Sequence, residues 1–336
     1  MMSKKHKNIP IFVPHIGCPN DCSFCNQKKI TGVTEAVTPE EVDRIISEAV
    51  ALVSSDTEVE VAFFGGSFTG IEKNYRNSLL TVAKKYVDLK KVQGIRLSTR
   101  PDYIDDEILN ELKSFGVTDI ELGVQSMDDE VLAKNRRGHT AQQTKNAAKL
   151  IKEYNFRLGL QMMPGLFGDT KEKTFETAKS IIKLEPDCVR IYPTIVIRGT
   201  WLHELFISGK YIPLTTDEAV EICAELVPLF LEKNIKIIRM GLMATDVINE
   251  GKEVLAGPFH PSFGELVESE ILFKKAREML KGKTGDAVFT VNPKTVSAFI
   301  GNKKKNIKRL SEIAGGKIKV CQNENYGRKE VTVVVS

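Results

Sequence analysis

The 336-residue chain, with 42% hydrophobic residues, is long enough for one large α/β domain and a small domain beside it. No stretch approaches the run of about 18 uncharged apolar residues that a membrane helix needs, and the basic start, Met1 to Lys7, has no apolar region behind it. We therefore expect a soluble, cytoplasmic protein rather than a membrane or secreted one.

The net charge of +4 is unevenly distributed along the chain. Residues 281–336 contain twelve Lys and Arg against four Asp and Glu, a net charge of +8, whereas residues 1–280 carry −4. Scattered lysines usually mean a solvated surface. The alternative is an electrostatic footprint for a polyanion such as a nucleic acid.

Short β-rich runs alternate with amphipathic helical patterns over the first 240 residues. Thr38 and Thr215 each offer a helix N-cap with a capping-box Glu three residues later. The alternation predicts a parallel sheet with right-handed crossovers, and six or more units indicate an open or partial (β/α) barrel. The predicted strands are Ile9–Val13, Val59–Phe64, Gly94–Ser98, Asp119–Gly123, Arg157–Met162, Cys188–Tyr192 and Ile235–Arg239.

The unusual motifs of the chain follow these strands rather than precede them. In such a barrel the loops at the carboxyl ends of the strands open on one face, where active sites lie. We therefore expect the motif loops to meet. They are Cys18–Cys25, Gly65–Gly70, Ser98–Tyr103, Val124–Ser126, Met162–Gly165 and Tyr192–Thr200.

Cys18, Cys22 and Cys25 place three thiols within eight residues, directly after the first strand. Thiolates are ligands for zinc or for iron–sulfur clusters, and three ligands leave one iron of a cluster open. A zinc site completed by His15 and a disulfide with one spare thiol are the alternatives. The remaining cysteines stand alone: Cys188, Cys223 and Cys321.

This CxxxCxxC loop, with Phe24 before its third cysteine, resembles the radical S-adenosylmethionine (SAM) superfamily. The resemblance implies a [4Fe–4S] cluster held by Cys18, Cys22 and Cys25, with the open iron chelated by the amino and carboxylate groups of S-adenosylmethionine. One electron, from a donor such as flavodoxin or ferredoxin, would then release a 5′-deoxyadenosyl radical that abstracts hydrogen from a substrate. The cofactor carries the chemistry, and the protein supplies orientation and excludes water.

The resemblance also implies cofactor contacts on several loops. Gly65 and Gly66 resemble the GGE motif that contacts the methionine amino group, although Ser67 replaces the Glu, so that this contact comes from backbone or hydroxyl. Gln125 resembles the glutamine that hydrogen-bonds the ribose region, and Arg137 the arginine aimed at the cofactor carboxylate. Gly65 and Gly66 could instead form a plain turn, and Gln125 could be a satisfied core amide. The implied cofactor-binding set is Phe24, Gly65, Gly66, Ser67, Ser98, Gln125, Arg137 and Gln161.

Two families within the superfamily share these loops. Oxygen-independent coproporphyrinogen III oxidases have carboxylates where this chain has Ser98 and Gln161, so their cofactor shell is not reproduced in full. The radical domain of the Elongator catalytic subunit is similar from about residue 8 to residue 240. We expect that family's acetyltransferase domain to be missing, so its carboxymethyl transfer to wobble uridine cannot be carried over whole. His139 and His260 are expected to be structural.

The basic tail predicts the element order β-α-α-β-β over residues 287–335. Its segment Phe299–Leu310 resembles the helix–GXXG–helix of the KH fold, which clamps about four nucleotides of a single strand. Gly301 supplies the first glycine, but Lys304 occupies the position of the second. Lys303, Lys304 and Lys305 are the candidate RNA contacts.

We therefore predict an α/β protein with a radical SAM barrel in residues 1–245, a helical extension and linker in 246–282, and a small KH-like domain in 283–336. The expected activity is modification of an RNA nucleoside, most plausibly in tRNA, with Tyr192 and Arg198 on the substrate side. One alternative is a small metabolite or tetrapyrrole as substrate, with a purely structural tail. Another is a non-catalytic RNA-binding protein with a structural metal.

Overall fold

The structure is a computed structural model that describes residues 5–13, 17–18, 22–26, 36–54, 56–243, 249 and 251–336. The chain divides into two compact units, one of residues 1–214 and 230–259, the other of residues 215–229 and 260–336. His15, the alternative zinc ligand, lies outside the described residues. The three-part division expected from the sequence stays a prediction.

A seven-stranded parallel sheet dominates the first unit, in the order β1-β2-β3-β4-β5-β6-β8. Because each new strand is added beside the previous one, the sheet winds in one direction, and the predicted partial barrel is confirmed. Its strands are β1 (Lys5–Val13), β2 (Thr57–Gly65), β3 (Gly94–Thr99), β4 (Val117–Gln125), β5 (Arg157–Met162), β6 (Cys188–Ile191) and β8 (Lys236–Met240).

Two short strands were not expected. β7 (Val196–Ile197) pairs antiparallel with β9 (Val254–Ala256), which lies in a Gly- and Pro-rich segment interpreted as a linker. Two- and three-residue strands leave no periodic signal in a sequence, so only the pairing reveals them.

Helices alternate with the strands of the sheet along the chain. The first of them begins at the predicted capping box, since the Thr38 hydroxyl accepts the Glu41 N–H and the Glu41 carboxylate accepts the Thr38 N–H. The helices are α1 (Pro39–Ala51), α2 (Lys73–Asp88), α3 (Asp106–Ser114), α4 (Asp129–Lys134), α5 (Ala141–Glu153), α6 (Lys171–Lys183), α7 (Trp201–Ile207) and α8 (Thr216–Glu232), the last lying in the second unit up to residue 229.

The two faces of the sheet differ in chemistry. Ile11 and Phe63 are fully buried on the convex face. The concave face carries a charged layer near the amino ends of the strands, where Arg96 donates to the carboxylates of Glu60, Asp119 and Glu121. These paired charges fill the lower part of the barrel, because buried charges need partners.

The second unit contains α9 (Phe263–Met279) and a three-stranded sheet in the order β11-β10-β12. The elements β10 (Ala287–Val291), α10 (Val296–Ile300), α11 (Lys305–Ala314), β11 (Ile318–Gln322) and β12 (Val331–Val335) confirm the predicted order β-α-α-β-β. Phe289 and Phe299 meet in its core with ring centroids 5.2 Å apart. Among the described helices, none has both the length and the apolar content needed to cross a membrane.

Candidate active site

The cysteine loop is fastened to two neighbouring elements through its middle residue, Ser23. Asn135, just after α4, accepts the Ser23 hydroxyl at 2.6 Å and the Ser23 N–H at 3.1 Å. The Ser23 carbonyl accepts the N–H of Leu202 in α7 at 2.7 Å. Since Ser23 is fully buried, these bonds fix the backbone between Cys22 and Cys25.

The sulfur atoms of Cys18 and Cys22 accept hydrogen bonds from the barrel. The backbone N–H of Ser67 donates to Cys18 Sγ at 3.2 Å, and Arg137 Nη1 donates to Cys22 Sγ at 3.1 Å. Burial raises the pKa of the Cys18 thiol, whereas the Ser67 N–H and the charges of Arg100 and Arg137 act to lower it. N–H donors and positive charge stabilise the thiolate, which is the form that binds metals.

The glycine loop after β2 approaches the end of β1 closely. Gly65 has φ +115°, and a Cβ on it would lie 2.3 Å from the carbonyl oxygen of Val13. Only glycine fits this combination of backbone conformation and contact. Position 65, next to the cysteine loop, therefore requires glycine.

Ser67 is engaged within the protein. Its hydroxyl bonds the Thr99 hydroxyl at 2.8 Å and accepts the Arg100 N–H at 3.3 Å, while its own N–H is directed at Cys18. The hydroxyl thus joins the ends of β2 and β3. These contacts favour the glycine backbone over the Ser67 hydroxyl as the contact for a cofactor amino group.

Gln125 is the last residue of β4, whereas the sequence analysis placed it in the following loop. It has φ 68°, at a register shift between β4 and β5, and its side-chain oxygen accepts Gln161 Nε2 at 3.1 Å. A left-handed non-glycine residue is strained, and such strain concentrates at functional sites. Gly123 makes room here, because a Cβ on it would lie 3.1 Å from Gln125 Nε2 and 3.4 Å from Arg137 Nη2.

Two guanidinium nitrogens beside the thiols are buried and lack a partner among the described residues: Arg100 Nη1 and Arg137 Nε. The rest of each group is bound, since Arg137 Nη2 donates to the Gly123 carbonyl at 2.5 Å and Arg100 pairs with Asp102. Unsatisfied buried donors are costly, and a carboxylate suits a guanidinium well. The carboxylate of S-adenosylmethionine fits this position.

The three thiols are the donor set of a [4Fe–4S] cluster, in which each cysteine binds a different iron. Within the ranges that the structure describes, no three His, Cys, Asp or Glu side chains converge on one metal ion. Phe24 is 9% exposed, and the Arg137 guanidinium lies 5.9 Å from its ring centroid.

His139 is buried beside the same arginines. Burial, followed by the charge of Arg137, lowers its pKa to about 3, so the imidazole is neutral at neutral pH. His260 lies in the second unit, where its Nδ1 accepts the Ser262 N–H at 3.1 Å.

The two expected substrate residues, Tyr192 and Arg198, lie in different environments. Tyr192 lies on the concave face, with its hydroxyl 3.3 Å from Arg190 Nη1, and the half-buried Ser98 lies on that face too, in register with Glu121. Arg198 is exposed and donates to the Lys252 carbonyl at 3.4 Å.

The lysines of the tail are exposed in the second unit. Lys303 and Lys304 adopt left-handed conformations at φ 49° and φ 60°, and Lys305 pairs with Asp217 at 3.0 Å.

Sequence reasoning missed two of the residues that build this site. Arg100 lies in the motif loop Ser98–Tyr103 after β3. A charged residue at the carboxyl end of a buried strand could have indicated its role. Asn135 precedes Arg136 and Arg137 in a motif from which only Arg137 was selected. Neither residue reveals its partner by spacing, since Ser23 lies 112 positions from Asn135.

Comparison with known proteins agrees with this geometry. Residues 12–181 match the radical SAM superfamily, and residues 186–272 match the radical SAM C-terminal domain. A solved structure, the archaeal Methanocaldococcus infernus Elp3 with its N-terminus deleted, superposes with a TM-score of 0.65 at 22% identity, covering 81% of this chain and 64% of that one. This likeness is one of fold.

Curated relatives are similar over about half of this chain. The chain is 32% identical over 185 residues to the tRNA uridine(34) acetyltransferase of Methanocaldococcus jannaschii, covering 49% of this chain and 34% of that protein. It is 31% identical over 204 residues to the human Elongator complex protein 3, covering 55% of this chain and 37% of that protein. The chain thus spans about a third of the length of these relatives. Because the superfamily match covers half of the chain, including the cysteine loop, the chain belongs to the radical SAM superfamily and is an enzyme whose cofactors are a [4Fe–4S] cluster and S-adenosylmethionine.

Proposed function

We propose that Cys18, Cys22 and Cys25 hold the cluster and that the enzyme modifies a nucleoside of tRNA. When bound, the cluster and S-adenosylmethionine supply an electron and a carbon radical that removes hydrogen from the substrate. Every other task belongs to side chains and backbone of this chain.

Arg137 connects the two cofactor sites. One of its nitrogens donates to Cys22, another to the Gly123 carbonyl, and the buried Nε is left for a ligand carboxylate. The Gly65 and Gly66 backbone takes the amino end of the cofactor, because no side chain bars a close approach. Gln125, oriented by Gln161, takes the ribose region.

An apolar cluster around the cysteine loop excludes water. Cys22 and Phe24 pack there with Leu166, Leu202 and Tyr211, all less than 10% exposed. A dry site prevents quenching of a reactive species and strengthens the electrostatic contacts within it.

The choice of RNA as substrate rests on two supports. The relatives described above are named for a tRNA uridine or for Elongator, which makes the wobble uridine the first candidate. Those names support only the substrate class, since the match covers about a third of each relative.

The observation that carries the RNA assignment is the exposed basic loop, residues 301–304, in a tail of net charge +8. Lys304 occupies the position of the missing second glycine. It adopts a positive φ, as a glycine at this position would. Two exposed lysines beside a tight turn suit a phosphodiester backbone.

Mass spectrometry of tRNA nucleosides tests the proposal. A strain that lacks the gene should lose one modified nucleoside and accumulate its precursor, and the wild-type gene, but not a Cys22→Ala variant, should restore the product. Identical nucleoside profiles in all strains would reject tRNA as the substrate. If reconstituted enzyme still cleaved S-adenosylmethionine, a small-molecule substrate would be favoured instead.

A further inference from the structure

Above the charged layer, the concave face of the barrel carries two aromatic rings. Phe12 and Phe64 pair in register on β1 and β2, while their neighbours Ile11 and Phe63 are fully buried on the other face. Phe12 is 40% exposed although it lies within a nine-residue strand of a parallel sheet. β1 lies at the edge of the sheet, so this ring is open to solvent and to a ligand.

Arg190 crosses the barrel from β6 to reach the ring of Phe64. Its guanidinium carbon lies 5.2 Å from the centroid of Phe64, and its nitrogens are held by both carboxylate oxygens of Glu121 on β4. A third contact joins Nη1 to the Tyr192 hydroxyl at 3.3 Å. Glu121 is 4% exposed, and Arg96 also occupies one of its oxygens, so the guanidinium is fixed in place.

Phe12, Phe64, Arg190 and Tyr192 are here named the barrel floor: Phe12 is in register with Phe64, and Arg190 contacts both Phe64 and Tyr192. The floor adjoins the candidate cofactor site directly, because Phe64 precedes Gly65 in the chain. A group lying on it would lie beside the proposed position of S-adenosylmethionine.

We infer that the barrel floor is the seat of the substrate's base: the aromatic rings stack on a uracil-type ring and Arg190 donates to its carbonyl oxygens. This inference rests on the proposed function and specifies which residues position the nucleoside. A planar base matches a floor of rings and a planar guanidinium, since both stack on π faces. Glu121 is paired with Arg96 and Arg190, so its carboxylate does not repel the carbonyl oxygens of a base.

Arg190 offers five N–H donors, of which three point to Glu121 and Tyr192. The remaining donors suit the carbonyl acceptors of a uracil. Glu121 is a positioning residue in this scheme, because it acts through Arg190.

Base-dependent RNA binding tests the inference on the anaerobically reconstituted holoenzyme, with S-adenosylmethionine present and without reductant. The probes are an anticodon stem-loop with uridine at the wobble position and the same RNA with an abasic wobble residue. Because one stacked base typically contributes about tenfold or more in affinity, wild type should prefer the intact RNA by about tenfold. Phe12→Leu and Phe64→Leu should each bring this preference close to one and leave binding of the abasic RNA unchanged.

A folding defect in a variant must be distinguished from a loss of base-dependent binding. Phe12→Leu changes a partly exposed ring, and iron content reports whether Phe64→Leu still folds. Arg157→Lys is the matched control, because Arg157 belongs to the charged layer below the floor, where it pairs with Asp119 at 2.6 Å. It should keep the wild-type preference.

The outcomes separate the two proposals. Variants that retain the wild-type preference overturn the inference and leave the proposed function standing. Equal binding of both RNAs by wild type also overturns the inference alone. If wild type binds neither RNA, the proposed function fails and the inference fails with it.

Discussion

Replacing Arg137 with lysine tests whether its guanidinium binds the carboxylate of S-adenosylmethionine. The change keeps the positive charge but replaces a planar fork with one ammonium, which cannot reach Cys22, the Gly123 carbonyl and a ligand at the same time. Loss of one charge-assisted hydrogen bond costs about 1.5–3 kcal/mol. The dissociation constant for S-adenosylmethionine should therefore rise roughly 10- to 150-fold.

Isothermal titration of reconstituted protein with S-adenosylmethionine measures this effect, and iron content shows that the cluster is retained. Arg136→Lys is the matched control, because the Arg136 guanidinium is exposed and lies 4.0 Å from the ring centroid of Trp201. That variant should bind within about twofold of wild type. Wild-type affinity in Arg137→Lys would refute the assigned role of the guanidinium.

Three further predictions concern the buried histidine, the glycine loop and the basic tail. Because the pKa of His139 falls from 6.5 to about 3 on folding, the stability present above pH 6.5 is lost as the pH falls toward 3. In urea titrations of the apoprotein, His139→Gln should spare about 2 kcal/mol of the loss between pH 7 and pH 5, and an unchanged pH slope would contradict this. Gly65→Ala should lower the melting temperature by about 4–8 °C, since strain and steric conflict cost about 2 kcal/mol. Gly327→Ala, with nothing within 4 Å of the added Cβ, should leave the melting temperature unchanged, and equal effects of the two changes would remove the case for a special glycine. Changing Lys303 and Lys304 together to Ala should reduce the slope of log affinity for tRNA against log salt by about 1.5, and an unchanged slope would place the RNA contact elsewhere.

The barrel could be predicted from the sequence because its signals are local. Apolar β-rich runs separated by amphipathic helices specify a parallel sheet, and Thr38 marks the start of a helix by its own side chain. The three cysteines also lie within eight residues, so their motif can be recognised in the sequence alone. The placement of motif loops after strands follows from topology alone, because parallel strands end on one face.

Contacts between distant parts of the chain could not be predicted in this way. Arg137 and Cys22 are 115 residues apart, and only the winding of the sheet brings the guanidinium to the sulfur. The same holds for Asn135 at the cysteine loop and for the pairing of β7 with β9. No periodicity encodes such pairs.

Sequence therefore determined which residue types stand at the mouth of the barrel, and the tertiary structure decided which of them act together. Gln125 acquires its left-handed backbone from a register shift between two strands, which pattern reading cannot locate. Arg190 belongs to no recognisable sequence motif, and only the folded chain brings its guanidinium across the barrel to Phe64. The physical reason is that hydrophobic pattern and turn chemistry act over a few residues, whereas charge pairing and ring contacts depend on distances that only the folded chain sets.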